Sequence, residues 1–342
     1  MIVLGIESSC DDTGVGIVDD KRNILANVTA SQLVKHSPYG GVVPEIAARA
    51  HLEALAPCMK AALKQANLDF KDIDAVAATT GPGLIGGLIV GSAFAKSLCL
   101  VSSKPFVSVN HLEAHALTVR ITSDVAFPYV LLLVSGGHSQ FVLVSGVGEY
   151  KLLGSTLDDA VGECFDKCAK LLGLGYPGGV LIEARAKNGN PSAFNLPKPM
   201  LGRAGCDMSF SGLKTAVRTI VDSYGVLSDG FVDDMAASLQ ETVALCLKDR
   251  ASHAIETVLS MNVYPSAFVV SGGVGANLAV RSALQKSASL FSIPFTAPPV
   301  SLCTDNGVMT AWAGLERFRL GISDPLAVRA RPRWPLQEVK NI

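Results

Sequence analysis

Two histidines four residues apart, His111 and His115, are the side chains in this sequence whose type and spacing most directly suggest metal coordination. They lie in the run Val107-Ser-Val-Asn-His-Leu-Glu-Ala-His115, where a short apolar β-type stretch meets an Asn able to cap a helix N-terminus. On the helix expected to follow, the pair is separated by roughly 40° in azimuth and one turn in height. Two imidazoles on one helical face can bind one divalent metal, and they can equally be hydrogen-bonded or solvated helix-face residues. The spacing is similar to the zincin motif H-E-x-x-H, but Leu112 follows the first His and the carboxylate is Glu113. Position i+2 lies roughly 200° around a helix, so Glu113 faces away from any metal the pair holds. A protease would also need a third ligand close downstream, and none is there. If the pair binds a metal, the missing ligand comes from far along the chain.

The elements that must position this pair alternate strand and helix. Residues 2–9 read as a buried strand that turns through Cys-Asp-Asp-Thr-Gly into a second strand at 15–18, with a third at about 24–31. Pro44 opens a long helix to about 66, on which Glu45, Arg49 and Glu53 share a face. A strand over 74–80 ends at Gly81-Pro-Gly-Leu-Ile-Gly-Gly87, which opens an apolar helix over 86–100. That run matches G-x-G-x-x-G, but the ribose-holding acid expected about 20 residues on is missing, which argues against a nicotinamide or flavin enzyme. The glycines better suit a helix N-terminus approaching a phosphate or another backbone.

The second half repeats this plan. A strand at 129–134, a turn at Ser135-Gly-Gly-His138 and a returning strand at 140–144 echo the first hairpin. A strand at 267–270 ending in Ser271-Gly-Gly-Val-Gly-Ala-Asn277 before a helix echoes 74–98. Helices are expected at 157–172, 211–221 and 231–260, and Thr304 or Asp305 is expected to cap a last one.

With 342 residues, 49% hydrophobic and 17% charged, the chain is long enough for two lobes with sizeable cores. A net charge of −1 provides no global basic field for nucleic acid, so any such contact needs a local patch or a partner. The eight cysteines, at 10, 58, 99, 164, 168, 206, 246 and 303, form no C-x-x-C pair, which excludes a zinc ribbon or thioredoxin motif. Cys164 and Cys168 share a helix face and read as packing residues. No leader pattern opens the chain. The apolar stretch 84–101 carries Lys96 and several Gly and Ser, and reads as a buried helix rather than a membrane span. A reduced, cytoplasmic protein without membrane attachment is expected.

Duplicated lobes, each with a hairpin turn and a Gly-rich helix start, describe an α/β protein of the actin–Hsp70–sugar kinase (ASKHA) two-lobe fold with a central cleft. The expected division is 1–128, with the last helix and tail 301–342 packing back on it, and 129–300. In such a cleft Glu7, Asp11 and Asp12 line the first turn, as carboxylates around a hydrated Mg²⁺ near phosphates or as solvated turn residues. Ser135, Gly136 and Gly137 offer backbone N–H groups to an anion, and Gly272 and Gly273 allow close approach to a base or ribose.

Eight ordered motifs then resemble one family. Ile6-Glu-Ser-Ser-Cys-Asp-Asp-Thr13, His111-Leu-Glu-Ala-His115, Leu133-Val-Ser-Gly-Gly-His-Ser-Gln140, Phe165-Asp166, Tyr176-Pro-Gly-Gly179, Phe210-Ser-Gly-Leu-Lys214, Ser271-Gly-Gly-Val-Gly-Ala-Asn277 and Cys303-Thr-Asp-Asn-Gly307 are similar to the TsaD family of tRNA N6-adenosine threonylcarbamoyltransferases. The resemblance runs from residue 1 to about 335. It implies transfer of a threonylcarbamoyl group from threonylcarbamoyl-adenylate to N6 of the adenosine 3′ of the anticodon, in tRNAs reading codons that begin with A. It implies His111, His115 and Asp305 as ligands of Fe²⁺ or Zn²⁺, with Mg²⁺ accompanying an adenine nucleotide as a further expectation. It implies Leu133, Val134, Ser135, Gly136, Gly137, Asp166, Gly179, Glu183 and Asn277 as adenylate-binding positions. Asp166 paired with Lys170 and Asn277 as a helix cap are the structural alternatives. No residue is an obvious general base; Asp11, Asp12 and His138 are the candidates. Asp12 stands where many relatives have Glu, Gly275 where Ser is common, Ser139 where Thr is common, and Glu183 near a common Asp.

The resemblance also implies a TsaB-like paralogue and a TsaE-like ATPase as partners, with the helices at 44–66 and 86–100 as the TsaB-facing surface. For tRNA the local clusters are Lys198, Arg203, Lys214, Arg218 and the 329–334 tail. The alternatives are a small-metabolite kinase on the same fold, which leaves the His pair without a role, and a non-catalytic nucleotide-binding scaffold.

Overall fold

The computed structural model describes residues 1–340, and these divide into two compact units. Positions 341 and 342 of the expected 301–342 segment lie outside the described residues.

Unit 1 comprises residues 1–124, 146–150 and 304 onward. Its strands are β1 (Ile2–Glu7), β2 (Asp12–Asp19) and β3 (Ile24–Ser31), followed by a short helix α1 (Leu33–His36) and the long α2 (Pro44–Ala66). Then come β4 (Ala75–Gly81), α3 (Ile85–Ser102), β5 (Phe106–Asn110), α4 (His111–Leu117) and α5 (Val119–Thr122). The sheet order is β3-β2-β1-β4-β5, with β1 antiparallel to β2 and parallel to β4.

Unit 2 begins with β6 (Tyr129–Val134), β7 (Ser139–Gly146) and β8 (Glu149–Ser155), then α6 (Val161–Leu171), α7 (Gly178–Ala186), α8 (Ser211–Tyr224) and the 32-residue α9 (Asp229–Ser260). It ends with β9 (Phe268–Ser271), α10 (Leu278–Leu290) and β10 (Phe295–Thr296). Its sheet order, β10-β9-β6-β7-β8, repeats that of unit 1, with β6 antiparallel to β7 and parallel to β9. The chain then returns to unit 1 with α11 (Gly307–Arg319).

The period-2 alternation of β1 explains how unit 1 is layered. Leu4 and Ile6 belong to the core beneath α2 and α3, with Leu55, Cys58, Ala95 and Cys99. Gly5 faces the other way, onto α11. A Cβ added at Gly5 would stand 2.1 Å from the Ala311 nitrogen, and one at Gly16 2.3 Å from the Val308 nitrogen. The absence of side chains at Gly5, Gly14 and Gly16 therefore seats the N-terminal turn of α11 directly on the β1–β2 backbone. The expected cap of this helix is corrected by one or two positions. Asn306 caps it, its Oδ1 accepting from the Met309 N–H at 3.0 Å. A capping side chain must fold back over the first turn, so having Asn306 do it leaves the Asp305 carboxylate to point elsewhere.

The apolar helix α3 is not buried as expected. Its inward face is mostly small, with Gly87, Leu88, Gly91, Ser92, Ala95 and Cys99, while Ile85, Ile89 and Leu100 are exposed. It is long and apolar enough by length and composition to cross a membrane, yet it packs along α2 and β4. Uniform hydropathy hid this asymmetry, because an all-apolar helix gives no period from which to read a buried face.

Gly5→Ala should destabilise the protein by at least about 2 kcal/mol, because its Cβ meets rigid backbone rather than a movable side chain. Urea unfolding of the variant beside the unaltered protein measures this.

Candidate metal centre and adenylate-binding residues

The helix carrying the histidine pair starts where β5 ends. Asn110 caps α4, its Oδ1 accepting from the N–H groups of Leu112 at 2.8 Å and Glu113 at 3.2 Å. Its Nδ2 donates to the Trp334 carbonyl at 3.0 Å, so the chain beyond α11 also holds this cap. Both histidines are buried, with ring centroids 4.7 Å apart and planes at 85°. The Asp305 carboxylate, delivered by the seating of α11, brings Oδ1 to 3.1 Å from His115 Nε2 and 3.6 Å from His111 Nε2. Three donor atoms, one per residue, all lie within 4.8 Å of one another. Ligands about 2.1 Å from a tetrahedral ion stand roughly 3.4 Å apart, so small adjustments close the set around a metal.

Glu7 supplies the next layer. Fully buried, its carboxylate accepts from the Ser9 N–H at 2.8 Å and from the hydroxyls of Thr79 at 2.5 Å and Thr310 at 3.0 Å. It stands 3.4 Å from His111 Nδ1, which is also 3.1 Å from the Ser9 hydroxyl. A carboxylate at Nδ1 favours the proton there and leaves the Nε2 lone pair for a metal. Burial opposes a charged His111, but Asp305 and Glu7 outweigh it and hold its pKa up at about 9. Burial likewise opposes an ionised Glu7, and His111 more than compensates, leaving its pKa lowered. Two carboxylates around two imidazoles thus call for a cation, and the donor set fits a divalent one. Glu113, on the opposite side of α4 as the helical geometry requires, is buried against Arg317 at 3.3 Å and accepts from the Tyr150 hydroxyl at 2.8 Å.

A family model of tRNA N6-adenosine threonylcarbamoyltransferases, TsaD, matches residues 23–312. The chain belongs to the TsaD family. It is 53% identical over 337 residues to the tRNA N6-adenosine threonylcarbamoyltransferase of Paramagnetospirillum magneticum, covering 98% of this chain and 97% of that one. It is 54% identical over 341 residues to that of Rhodospirillum rubrum, covering 98% and 94%. Among solved structures, component A of the Acidaminococcus fermentans (R)-2-hydroxyglutaryl-CoA dehydratase is similar, with a TM-score of 0.53 at 16% identity over 92% of this chain and 96% of that one. HypF of T. kodakarensis is similar with a TM-score of 0.60 at 14% identity, over 93% and 47%. These likenesses concern the fold alone, the duplicated ASKHA architecture.

In unit 2 the family positions meet in a ring of contacts. A Cβ on Gly162 of α6 would lie 2.5 Å from the Ser135 carbonyl, so α6 abuts the 135–138 turn. Asp166, further along α6, accepts from the Gly178 N–H at 2.7 Å at the start of α7. Glu183 on α7 accepts from the Leu278 N–H at 2.8 Å at the start of α10. Asn277 caps α10 through the Val280 N–H and donates to Gln240 at 2.8 Å. Gly272, with φ of 94°, closes the ring, since a Cβ there would stand 2.4 Å from the Val134 carbonyl. Leu133 and Val134 are buried strand residues, whereas Gly136 and Gly137 are exposed with open space where a side chain would be. Gly179, Gly273 and His138 are partly exposed on the same elements. Asp166 thus accepts from a helix N-terminus, and Asn277 serves as the cap that its type suggested.

Asp11 and Asp12 sit in the first turn, partly exposed. Burial raises Asp12, and after a lowering hydrogen bond from Ser31, the charges of Asp11, Asp305 and Glu7 raise it further, to about 6. Thr79 and Thr310 against Glu7, and Arg317 against Glu113, lie 72 to 303 positions away in sequence, and nothing in local pattern announces them.

A carboxyl whose folded pKa exceeds its unfolded value of about 3.9 destabilises the fold once ionised. Asp12→Asn should therefore stabilise metal-stripped protein by on the order of 1–2 kcal/mol above pH 6, with the gain fading as pH falls from 6 towards 4. Melting curves across that range measure it.

Proposed function

We propose that this protein transfers the threonylcarbamoyl group of threonylcarbamoyl-adenylate to N6 of the adenosine 3′ of the anticodon, in tRNAs reading codons that begin with A, in the cytoplasm. The observation that carries this reading is the triad of two buried histidines, His111 and His115, and the partly exposed Asp305, in a chain that matches threonylcarbamoyltransferases over nearly its whole length. Two imidazoles and a carboxylate suit Fe²⁺ or Zn²⁺. Bound there, such an ion would supply a Lewis-acid contact for a phosphate or carbamoyl oxygen.

The protein's own residues have three tasks. His111, His115 and Asp305 hold the ion, with Glu7 fixing the orientation of His111. The ring from Ser135 to Gly272 offers the adenylate its backbone amides at Gly136 and Gly137 and its close-approach glycines. Attack of N6 on the carbamoyl carbon forms a C–N bond as the C–O bond to the phosphate breaks. AMP leaves, and N6 must lose a proton. Asp12, its pKa near 6, is a better acceptor at neutral pH than an ordinary carboxylate, with Asp11 and His138 as the other candidates. An exocyclic amine is a weak nucleophile, so orientation should account for much of the rate.

For partners, a TsaB-like paralogue fits the outer faces of α2 and α3. Leu52 and Ala56 on α2, and Ile85, Ile89 and Ala93 on α3, are exposed, and the helices close to within 2.9 Å of a Cβ at Gly86 against Ala48. A TsaE-like ATPase and tRNA contacts at Lys198, Arg203, Lys214 and Arg218 complete the expected assembly.

His115→Ala should lose bound metal and transfer together, in a reconstituted assay that follows modified adenosine by mass spectrometry. Transfer that survives metal loss would sink the catalytic role of the ion, and ATP-dependent phosphorylation of a small metabolite would favour a kinase instead. Ile89→Glu should abolish co-purification with the TsaB-like paralogue while leaving metal content unchanged. Retained binding would move the interface elsewhere.

A further inference from the structure

Two fully buried histidines, His36 and His51, take no part in the metal centre. They belong to a hydrogen-bonded chain whose direction is set at both ends by the backbone. The Val43 N–H can only donate, and it reaches His36 Nδ1 at 3.3 Å. His36 must then carry its proton on Nε2, which lies 3.1 Å from Gln32 Oε1. That orients the Gln32 amide so that Nε2 donates to His51 Nδ1 at 3.3 Å, where the Thr13 hydroxyl also donates at 2.7 Å. His51 Nδ1 is therefore an acceptor, and its Nε2–H donates to the Cys10 carbonyl at 3.1 Å. One neutral tautomer of each ring accounts for the chain, with the Thr13 hydroxyl and the longer Gln32 contact sharing the single lone pair of His51 Nδ1.

The chain ends on the turn that carries Asp11 and Asp12. Three successive carbonyls of this turn are held by fixed donors. Ser9 accepts from the Leu84 N–H at 2.7 Å, Cys10 from His51, and Asp11 from the Gln32 N–H at 3.2 Å. Of these three donors, His51 alone is a side chain. Burial lowers the pKa of His51, with His36 acting the same way, and outweighs the Cys10 carbonyl and the charges of Glu7 and Asp11, which favour a charged ring. On the α3 side the ring meets Gly87, where an added Cβ would stand 3.0 Å from Nε2.

We propose that His51, oriented through Gln32 and His36, is a positioning residue that fixes the Cys10–Asp12 turn for the transfer reaction. This role rests on the transferase reading above. The fully assembled system, with partner proteins, threonylcarbamoyl-adenylate and unmodified tRNA, tests it with His51→Leu, His51→Gln and Gln32→Leu.

His51→Leu removes the donor to Cys10 and should lower kcat by about tenfold to a hundredfold, as a displaced reacting geometry does, with KM for tRNA and metal content unchanged. His51→Gln retains an N–H donor near the same place and should recover most of that loss. Gln32→Leu leaves the donor but not its orientation, and should fall between. Amide hydrogen exchange of the peptide covering residues 9–12 should quicken in the same order. A folded, metal-loaded His51→Leu with unaltered kcat would overturn the proposal, as would equal impairment of the Leu and Gln variants. If His51→Leu does not fold, Gln32→Leu with unaltered kcat and exchange overturns it. Absence of transfer by the unaltered protein would count against the transferase reading instead. The exchange rates then decide the role of His51, and no change at residues 9–12 would remove it.

Discussion

Glu7 carries a negative charge in the interior of unit 1, and much of that unit can be understood as the means of keeping it there. A buried carboxylate without partners is expensive, so its oxygens are met by the Ser9 amide, the hydroxyls of Thr79 and Thr310, and the His111 ring. Those groups come from β1's own turn, β4, α11 and α4. They can converge because glycines on β1 and β2 let α11 rest on backbone. The same approach brings Asp305 to the histidine pair. Compensation of buried charge and backbone proximity are therefore one arrangement, and the demand for a cation follows from it.

Unit 2 repeats the strand order with different contents. Its family positions meet through backbone carbonyls, helix N-termini and glycines, and its carboxylates, Asp166 and Glu183, are occupied by the amides that start α7 and α10. Unit 1 gathers imidazoles and carboxylates, and unit 2 gathers backbone amides and glycines. This is why likeness at 14–16% identity to a dehydratase component and HypF speaks to the architecture, while the reaction must be argued from the triad and the family.

The sequence alone determined a good deal. Apolar runs and Gly-rich turns mark most strands to within a few residues, because strand patterning and tight turns are local requirements, whereas β8 and β10 were not read from the sequence. The i, i+4 spacing put His111 and His115 on one face and Glu113 on the other, and Asn110 was legible as a cap. Asp305 was named through resemblance, not by local pattern, and only tertiary structure decided that it meets the pair. That decision depended on Asn306 taking the cap and on Gly5, Gly14 and Gly16 opposing α11. The exposed side of α3, the burial of Glu7 and the His36–Gln32–His51 chain were equally beyond local reading. Each depends on which surfaces meet across tens to hundreds of residues, and packing of that range leaves no period in the chain.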